Sequence, residues 1–480
     1  MSKLGIIQEP ATGDSCGGHL TLNLRPSDAQ LKAADFKGRA ALVTLGCAKN
    51  QVDSEIMLGV LRQRGFEIVD DLSLADVAIV NTCGFLQSAI EESLNCILEI
   101  ADYKKTARLR KLIVAGCLVS RYQGDLKTTL PEVDSFLSSQ ELASVADVAE
   151  NGELAAAARP YFFYDEALPR VYSSSGHSVY VKIAEGCNRP CTFCIIPKIR
   201  GKMQSRQPAS VISEVQQLAA QGVREFNLVA QDLTDYGHDL SPRMELAQLL
   251  AELDQVAPES WIRLLYAYPV GATDSLMKAM VSLPRVCKYL DIPLQHSSET
   301  VLKAMQRPLG KCSPRKLVER IRAEYPEVMI RTTFIVGFPG ETEQDIDDLE
   351  DFIKAGHFSS VGIFCYSPEE GTPSADMSGQ IPEEVKSARR ERLMLTQQDV
   401  VADRLRSLVG SKQLVLIDGL HPESDLLITG RTQFQAPEVD GCVIITDSET
   451  PEIELKPGMF CQVEITDVAG YDLCARVLRG

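Results

Sequence analysis

The sequence predicts an α/β protein built from an N-terminal parallel-sheet domain, a partial (β/α)6 barrel and a small all-β, OB-like barrel. Three observations predict this order. Apolar runs alternate with helical segments over most of the chain, which is typical of parallel sheets. Six of these strand–helix units, with predicted strands such as WIRLLYAYP and KYLDIPLQ, follow one another in the middle of the chain, enough for a partial barrel. Five short strands separated by turns then follow in the C-terminal part and predict a small antiparallel barrel.

The length of 480 residues exceeds what one hydrophobic core normally organises, so several domains are expected. Changes in composition indicate where they divide. Gly, Ser and Pro without a clear period mark an N-terminal tail, and an alanine-rich and then serine-rich stretch marks a linker. The predicted division is a tail at 1–37, an N-terminal domain at 38–150, a linker at 151–175, a barrel domain at 176–404 and a C-terminal domain at 405–480.

Three apolar runs in the N-terminal domain each end in a cysteine. The runs read ALVTLGC, VAIVNTC and KLIVAGC, and their cysteines are Cys47, Cys83 and Cys117, spaced 36 and 34 residues apart. Each cysteine therefore falls at the carboxyl end of a predicted strand, the edge at which open α/β sheets bind ligands. Alone, each would be taken as a packing thiol. Together they form what we call the N-terminal triad and predict a cluster site at one sheet edge.

A second group of three thiols lies in the sequence EGCNRPCTFCIIP, directly after the first predicted barrel strand. Cys187, Cys191 and Cys194 form a Cys-x3-Cys-x2-Cys array, the barrel triad, at the carboxyl mouth where barrel active sites lie. Thiolates suit iron–sulfur clusters, zinc and Cu(I). A cubane of four irons normally takes four cysteines, so three would leave one iron free to bind a substrate. The spacing favours such a cluster.

Structural zinc is the alternative for the barrel triad. A closed zinc site needs a fourth ligand, for which the candidates are His177, His238 and Cys287. Zinc ligands usually come as two short pairs, and the sequence has no second pair here. Disulfides are disfavoured because the loops are tight and the chain has the features of a cytosolic protein. The other cysteines are expected to be small packing residues: Cys16, Cys96, Cys287, Cys312, Cys365, Cys442, Cys461 and Cys474.

The chain is acidic, with 49 Lys and Arg against 66 Asp and Glu, a formal net charge of −17. From Arg406 onward, six basic and twelve acidic residues give −6. An acidic surface repels phosphates and attracts basic protein, so nucleic acid is disfavoured as a partner. The N-terminus has no signal-peptide pattern and no apolar run reaches the length of a membrane span. We therefore expect a cytoplasmic protein without a membrane partner.

The motif CNRPCTFC resembles the cysteine motif of radical S-adenosylmethionine enzymes, and the order of domains is similar to that of the methylthiotransferase family. That family joins an N-terminal cluster domain, a radical S-adenosylmethionine barrel and a C-terminal TRAM barrel. The resemblance extends over about residues 38–475. Within the family, the chain resembles the RimO-type branch in the sequences NTCGFLQSA and AQDLTDYG and in the acidity of its C-terminal barrel.

This resemblance implies a reaction and its cofactors. RimO-type enzymes methylthiolate the β-carbon of an aspartate in ribosomal protein uS12, as free protein or in the 30S subunit. By resemblance, the barrel triad holds a 4Fe-4S cluster that binds S-adenosylmethionine, and the N-terminal triad holds an auxiliary 4Fe-4S cluster that supplies sulfur. A low-potential electron donor such as flavodoxin or ferredoxin is implied as well. No catalytic side chain is implied beyond the cluster ligands.

Four further residues are weaker candidates. The resemblance implies cofactor contacts for Phe193, between two barrel-triad cysteines, and for Glu341, at the end of IVGFPGE. Packing over the cluster explains Phe193 equally, and a strand exit explains the glycine-rich turn. His296 is a candidate for the barrel mouth, although a lone histidine is more often structural. Arg431 matches a partner-contacting arginine of TRAM barrels or a solvated loop residue.

Two rival functions stay open on the sequence. A tRNA adenosine methylthiotransferase of the MiaB type would share the chemistry, but a basic TRAM barrel would have favoured it. A non-catalytic two-cluster electron carrier or scaffold would turn over no S-adenosylmethionine. The six-unit barrel counts against the carrier, because a carrier needs no room for a substrate.

Overall fold

The computed structural model describes residues 36–152, 165–173, 176–307, 313–421, 423–450 and 452–479. The predicted tail at 1–37 lies outside the described residues except for its last two, as does the central part of the predicted linker. Cys16 and Cys312, which were expected to be packing residues, also lie outside them. In the described part of the chain, no helix is long and apolar enough to cross a membrane.

The N-terminal domain contains a five-stranded parallel sheet in the order β2-β1-β3-β4-β5. Its elements are β1 (Gly38–Thr44), α1 (Ala48–Gln63), β2 (Phe66–Ile68), β3 (Val77–Thr82), α2 (Gln87–Thr106), β4 (Lys111–Gly116), α3 (Cys117–Thr129), β5 (Ser135–Ser138) and α4 (Val145–Asn151). The three cysteine-ending strands are confirmed as β1, β3 and β4. The short edge strands β2 and β5 were not predicted, because three or four residues give no readable period.

The middle domain is an open six-stranded parallel sheet in the order β13-β12-β11-β10-β9-β6, which confirms the partial barrel. Its strands are β6 (Ser178–Lys182), β9 (Glu225–Val229), β10 (Trp261–Leu264), β11 (Val286–Asp291), β12 (Met329–Val336) and β13 (Ser360–Cys365), with a small extra pair, β7 (Ala184–Glu185) and β8 (Gln204–Ser205). Its helices are α5 (Ile196–Arg200), α6 (Pro208–Ala220), α7 (Leu246–Val256), α8 (Asp274–Ser282), α9 (Glu299–Ala304), α10 (Pro314–Glu324), α11 (Glu343–Lys354) and α12 (Glu383–Arg406).

Two barrel strands end earlier than the apolar runs WIRLLYAYP and KYLDIPLQ predicted. β10 ends at Leu264 and β11 ends at Asp291. Tyr266 and Gln295, beyond these ends, have positive φ values of 68° and 73°, a conformation that a strand does not contain. Strained backbone of this kind is common at functional sites. The residues read as strand ends therefore form the loops of the carboxyl mouth.

The C-terminal domain is a small closed barrel in the strand order β14-β15-β16-β18-β17. Its strands are β14 (Lys412–His421), β15 (Ser424–Thr432), β16 (Val443–Ser448), β17 (Phe460–Ala469) and β18 (Asp472–Val477). The predicted five-stranded, OB-like barrel is confirmed. One of its pairs, β16 with β18, is parallel, whereas the sequence predicted an antiparallel barrel throughout. The long helix α12 leads into it.

The inner face of the open barrel sheet is covered by the other two domains. Its own helices cover the outer face, where alternate residues such as Ile262 and Leu264 are buried. On the inner face we define an inner-face cluster, to which α1, four barrel strands and the C-terminal domain contribute. Its buried members are Val52, Ile56, Tyr180, Val229, Trp261, Leu265, Cys287, Tyr289, Leu416 and Ala436. The three domains therefore share one apolar core.

Candidate functional site

The N-terminal triad lies at one edge of the N-terminal sheet. Cys47 precedes α1, Cys83 follows β3, and Cys117 begins α3. Because β3 pairs with both β1 and β4, the three strand ends are neighbours. The approach is close: a Cβ added at Gly46 would lie 3.4 Å from Cys83 Sγ, and one at Gly84 would lie 2.7 Å from the Cys117 carbonyl. The fold thus brings together the three thiols that the sequence singled out.

Burial disfavours the thiolate form at two of these three cysteines, Cys83 and Cys117. It raises the pKa of Cys83 to about 12, and the neighbouring thiols of Cys117 and Cys47 act in the same direction. Burial also raises the pKa of Cys117, although the guanidinium of Arg200 opposes it. A metal binds the thiolate form, so metal binding here must displace protons.

Arg200 is the main polar contact of the N-terminal triad, and it comes from the barrel domain. Its Nε donates to Cys117 Sγ at 3.2 Å, its Nη1 to Asp53 Oδ2 at 2.7 Å and its Nη2 to Asn50 Oδ1 at 2.5 Å. The side chain is buried, at 3% exposure. Lys182 lies in the same network and forms an ion pair with Asp53. A buried charge network therefore joins the two domains directly behind the triad.

Glu185, the residue before Gly186 of the barrel loop, neutralises the cations of this network. Its carboxylate accepts from Lys182 Nζ at 2.7 Å and from Arg200 Nη1 at 3.2 Å. Gln231 also donates to it. Burial alone would raise the pKa of Glu185, but Lys182 and Arg200 outweigh burial and lower it to about 2. Glu185 is therefore a carboxylate at neutral pH and balances the buried cations.

The barrel triad lies in the loop that follows β7. The Cys194 N–H donates to the Cys191 carbonyl at 3.2 Å, and the Arg189 N–H donates to Cys187 Sγ at 3.4 Å. From across the mouth, Arg307 Nη1 donates to Cys191 Sγ at 3.5 Å. Burial raises the pKa of Cys187 to about 11 and that of Cys194 to about 12. The loop thus presents three thiols with backbone and guanidinium donors around them.

An aromatic ring organises the cations next to the barrel triad. The guanidinium carbons of Arg189 and Arg307 lie 4.2 Å and 4.3 Å from the ring centroid of Tyr268. Arg189 Nε also donates to Asp232 Oδ2 at 2.6 Å. Cation–π contacts of this kind are favourable when they are desolvated. Tyr268 therefore fixes two arginines beside the loop, and one of them contacts a triad sulfur.

The two predicted cofactor-binding residues have different surroundings. Phe193 packs against an apolar group of the mouth, made of Val301, Leu302, Met305, Phe338 and Tyr366. Glu341 is buried, and its carboxylate accepts from the Gly337 N–H at 2.9 Å and from Arg389 Nη1 at 2.7 Å. His296 Nε2 lies 3.3 Å from the same carboxylate. These contacts of Glu341 are those of a residue that holds a turn.

The remaining sequence candidates have structural contacts. His296 is buried, and its Nδ1 accepts from the Ser298 N–H at 2.9 Å. Both predicted alternatives for Arg431, a partner contact and a solvated loop, are wrong. Arg431 is buried, and it donates to Glu225 Oε2 at 2.7 Å and to Asp418 Oδ2 at 2.8 Å. The C-terminal barrel docks on the sheet and covers this side chain, an event that local sequence does not encode.

The candidate fourth zinc ligands are all engaged in other contacts. His177 Nε2 lies 2.9 Å from Asp418, His238 Nδ1 lies 2.9 Å from Asp235, and Cys287 belongs to the inner-face cluster. All cysteines in the described ranges are free thiols. No three His, Cys, Asp or Glu side chains there are close enough to share one metal ion. In a cubane, each thiolate binds a different iron, so a cluster needs wider spacing.

The donor sets of the two triads fit cubane clusters in kind. Each offers three soft sulfur ligands at a carboxyl strand edge, with N–H donors directed at sulfur, as iron–sulfur sites require. Sequence reasoning missed the residues behind the triads, namely Lys49, Asp53, Arg200 and Arg307. For Lys49 and Asp53, the available signal was the run of polar residues in AKNQVDSE at the start of α1, several of which the structure buries. For the two arginines there was none, because their partners are distant in the chain.

The fold and the two triads define the class of protein. Residues 181–353 match the model of the radical SAM superfamily, and residues 409–478 match that of the TRAM domain. Residues 39–138 match a third model, described as an uncharacterized protein family, UPF0004. This chain is therefore a radical S-adenosylmethionine protein with a TRAM domain.

Its relatives identify the family more narrowly. The chain is 45% identical over 442 residues to the ribosomal protein uS12 methylthiotransferase RimO of Anaeromyxobacter sp. (strain Fw109-5), covering 92% of this chain and 93% of the relative. It is 44% identical to the protein of that name from Geobacter sulfurreducens, covering 93% and 100%. The chain belongs to the family of ribosomal protein uS12 methylthiotransferases.

A solved structure shares the fold. The radical S-adenosylmethionine methyltransferase TsrM from Kitasatospora setae, with cobalamin and a [4Fe-4S] cluster bound, has a TM-score of 0.51 and 14% sequence identity. The match covers 78% of this chain and 76% of that one. At this identity the likeness concerns the fold alone.

Proposed function

We propose that this protein is a radical S-adenosylmethionine transferase that methylthiolates the β-carbon of an aspartate in ribosomal protein uS12. The observation that carries the proposal is identity of 44–46% over nearly the whole chain to proteins named for acting on uS12. Both cysteine triads, on which such chemistry depends, lie at the carboxyl edges of their sheets. The rival tRNA substrate lacks a supporting observation of this kind.

The proposed cofactors are two 4Fe-4S clusters and S-adenosylmethionine. Cys187, Cys191 and Cys194 would hold the cluster that binds S-adenosylmethionine, and Cys47, Cys83 and Cys117 would hold the auxiliary one. When bound, these groups would carry the electron that an external donor supplies, and they would provide the hydrogen-abstracting radical, the sulfur and the methyl group. The protein's own residues bind and orient these groups and the substrate, and they exclude water from the site.

Several side chains have identifiable tasks in this scheme. Arg307 and Arg200 each donate an N–H to a triad sulfur, which stabilises thiolate charge in a buried site. Phe193 is proposed to contact the cofactor from the apolar side of the mouth. Glu341 is proposed to act as a positioning residue, because it holds the Gly337 turn through two hydrogen bonds to the backbone N–H. No acid or base side chain is required beyond the cluster ligands.

The proposed partners follow from the substrate. A low-potential donor such as flavodoxin or ferredoxin would supply the electron, and uS12 would bind as free protein or in the 30S subunit, in the cytoplasm where ribosomes work. The C-terminal barrel is acidic, and its Arg431 is occupied by Glu225 and Asp418. This disfavours nucleic acid and suits a basic ribosomal protein.

Mass spectrometry of uS12 tests the function directly. Deletion of the gene is expected to remove the methylthio mass from uS12, and the wild-type gene should restore it. Persistence of that mass in the deletion strain would make the substrate assignment wrong. Thiolated tRNA adenosines, measured in the same strain, test the tRNA rival. Absence of S-adenosylmethionine turnover by the purified protein would favour an electron carrier.

Iron content tests the two triads separately. C187A and C83A are each expected to lose about one cubane, roughly half of the iron. C287A is the matched control, because Cys287 is a buried thiol of the inner-face cluster and belongs to neither triad. Full iron in either triad variant would contradict the proposed ligand set.

A further inference from the structure

Lys49 is a buried cation that extends from the N-terminal triad toward the barrel mouth. It is the second residue of α1, two residues after Cys47. Its Nζ lies 3.3 Å from the ring centroid of Tyr266, and the residue is 9% exposed. Tyr266 follows the carboxyl end of β10, with the positive φ of 68°, and therefore belongs to the mouth. One lysine thus connects the edge of one sheet with the mouth of the other.

The same loop leads to the barrel triad. Tyr268, two residues after Tyr266, stacks with Arg307, and Arg307 donates to Cys191 Sγ. Lys49 therefore starts beside the N-terminal triad, and its ammonium contacts the loop whose Tyr268 lies beside the barrel triad. A substrate carbon that is reached from the barrel triad and receives a group held at the N-terminal triad has to approach both of these places.

Lys49 differs from the neighbouring cations in having no carboxylate within hydrogen-bond or ion-pair distance, although the Cys47 thiolate and Glu185 act on its charge from farther away. Lys182 and Arg200 are neutralised by Asp53, and Arg189 is neutralised by Asp232. Among the residues that the structure describes, neither a hydrogen bond nor an ion pair reaches Lys49 Nζ, and its contact is the face of Tyr266. An ammonium has three N–H donors, and burying them without hydrogen-bond acceptors is unfavourable. The site is therefore suited to an anionic ligand.

The chemistry of the substrate identifies that anion. Resting on the proposed function, the reacting atom is the β-carbon of an aspartate, and the γ-carboxylate is bonded directly to it. Holding the carboxylate therefore fixes the position of the reacting carbon. We infer that Lys49 binds the γ-carboxylate of the target aspartate and that the ring of Tyr266 holds the ammonium in place.

This assignment makes Lys49 a specificity-determining residue. Asparagine has nearly the same shape as aspartate, but it lacks the charge that a buried ammonium recognises. A charge-assisted hydrogen bond to a buried group corresponds to a difference of about 10- to 100-fold in affinity. Wild-type protein should therefore prefer aspartate over asparagine at the target position by about that factor.

A binding experiment with matched substrates tests the inference. Fluorescein-labelled uS12 and its variant with asparagine at the target position are titrated with the iron-reconstituted protein, and fluorescence anisotropy gives both Kd values. The diagnostic quantity is the ratio of the two, because incomplete folding or loading affects both Kd values equally. K49M is expected to bind the asparagine variant as wild type does and to reduce the ratio to about one. K49R keeps the charge and is expected to retain most of the preference.

The control variant is K127M, which removes an exposed lysine from α3 of the same domain and should leave the ratio unchanged. An unchanged ratio in K49M overturns the inference, and so does binding of neither substrate by K49M. Loss of half the iron in K49M with an intact preference also overturns it, since Lys49 would then serve the charge of the N-terminal cluster. Failure of the wild-type protein to methylthiolate uS12 overturns the proposed function instead, so the two failures are distinguishable.

Discussion

At the residue scale, one guanidinium joins the barrel domain to the N-terminal triad. Arg200 donates to Asp53, Asn50 and Cys117, all of which belong to the other domain. The planar fork of arginine can satisfy several acceptors at once, whereas lysine offers a single point charge. Removing one partner of a buried ion pair leaves the other charge without compensation. This destabilises a protein more than replacing both partners with apolar side chains does.

R200M is therefore expected to destabilise the protein by about 3–5 kcal/mol, because Asp53 and Glu185 would remain buried with one cation fewer. Urea unfolding followed by circular dichroism measures the change. R64M is the matched control: Arg64 lies in the N-terminal domain, as Asp53 does, and pairs with Asp147, but its side chain is 46% exposed. The control should lose less than about 1 kcal/mol. Equal effects of both variants would contradict the importance of the buried network.

The second residue-scale prediction concerns pH. Glu225 is buried, and burial alone would raise its pKa, but Arg431 and Arg263 outweigh burial and hold the pKa well below the ordinary 4.5. As the pH falls, the unfolded chain therefore takes up a proton at Glu225 at a higher pH than the folded chain does. The resulting stability is complete above about pH 5 and is lost as the pH falls through the folded pKa.

E225Q removes this titration. Its free energy of unfolding at pH 7 should be lower than that of wild type, because two buried arginines lose their carboxylate partner. As the pH is lowered from about 5 to about 3, this free energy should fall less steeply than that of wild type. Urea unfolding at a series of pH values gives both slopes. E252Q, which changes an exposed glutamate of α7, is expected to follow the wild-type profile. A free energy of unfolding that falls more steeply with decreasing pH in E225Q than in wild type would contradict this prediction.

At the element scale, the N-terminal triad depends on how closely a loop and a helix approach. Gly84 lies between β3 and α2, and a Cβ there would lie 2.7 Å from the carbonyl carbon of Cys117, at the start of α3. Real side chains do not tolerate that distance to backbone atoms. The absence of a side chain at Gly84 therefore lets Cys83 and Cys117 of the N-terminal triad come close together.

G84A is expected to displace the start of α3 and to lower the iron content by about one cubane, while the barrel triad keeps its own iron. Colorimetric iron determination on the reconstituted protein measures this. The control is G124A, because a Cβ at Gly124 in α3 would meet no atom within 4 Å. It should retain full iron and gain up to about 1 kcal/mol in stability from helix propensity. Full iron in G84A would mean that the triad tolerates a wider geometry.

At the scale of the whole molecule, the inner-face cluster makes the three domains depend on one another. Trp261, the single tryptophan of the chain, lies in β10 and meets Phe460 of the C-terminal barrel edge-to-face, with centroids 4.9 Å apart. Leu416 of β14 is buried in the same cluster. The fluorescence of one residue therefore reports whether the C-terminal barrel is docked.

L416A is expected to destabilise docking of the C-terminal barrel by about 2–5 kcal/mol, because it leaves a cavity in the cluster. Trp261 emission should shift to longer wavelength at a lower urea concentration than in wild type. L414A changes a leucine of the same strand that is 40% exposed, and it should leave the transition in place. Identical transitions in all three proteins would indicate that the barrel and the sheet do not share a core.

Local signals explain what the sequence predicted well. The spacing of Cys187, Cys191 and Cys194 is contained in eight residues, and the apolar runs before Cys47 and Cys83 each end at the cysteine. Patterns of this length reflect strand geometry and turn chemistry, which act within a few residues. The partial barrel and the small C-terminal barrel were readable for the same reason.

Long-range packing explains what the sequence could not predict. Arg431 was expected to be a contact or loop residue, yet it is buried against Glu225, because the C-terminal barrel docks on the sheet. Lys49 and Arg200 acquire their neighbours from distant parts of the chain in the same way. Burial and charge pairing between domains depend on how the domains dock, and no periodicity records that.

Local patterns in the sequence therefore indicate the order of the domains, the two cysteine triads and the family. The docking of the domains sets which polar groups surround the triads, and it brings a buried lysine next to the N-terminal triad into contact with the barrel mouth. The physical reason is that ligand spacing is a property of single loops and strand ends. The charge environment of a site arises only when α1, the barrel sheet and the C-terminal barrel exclude water together.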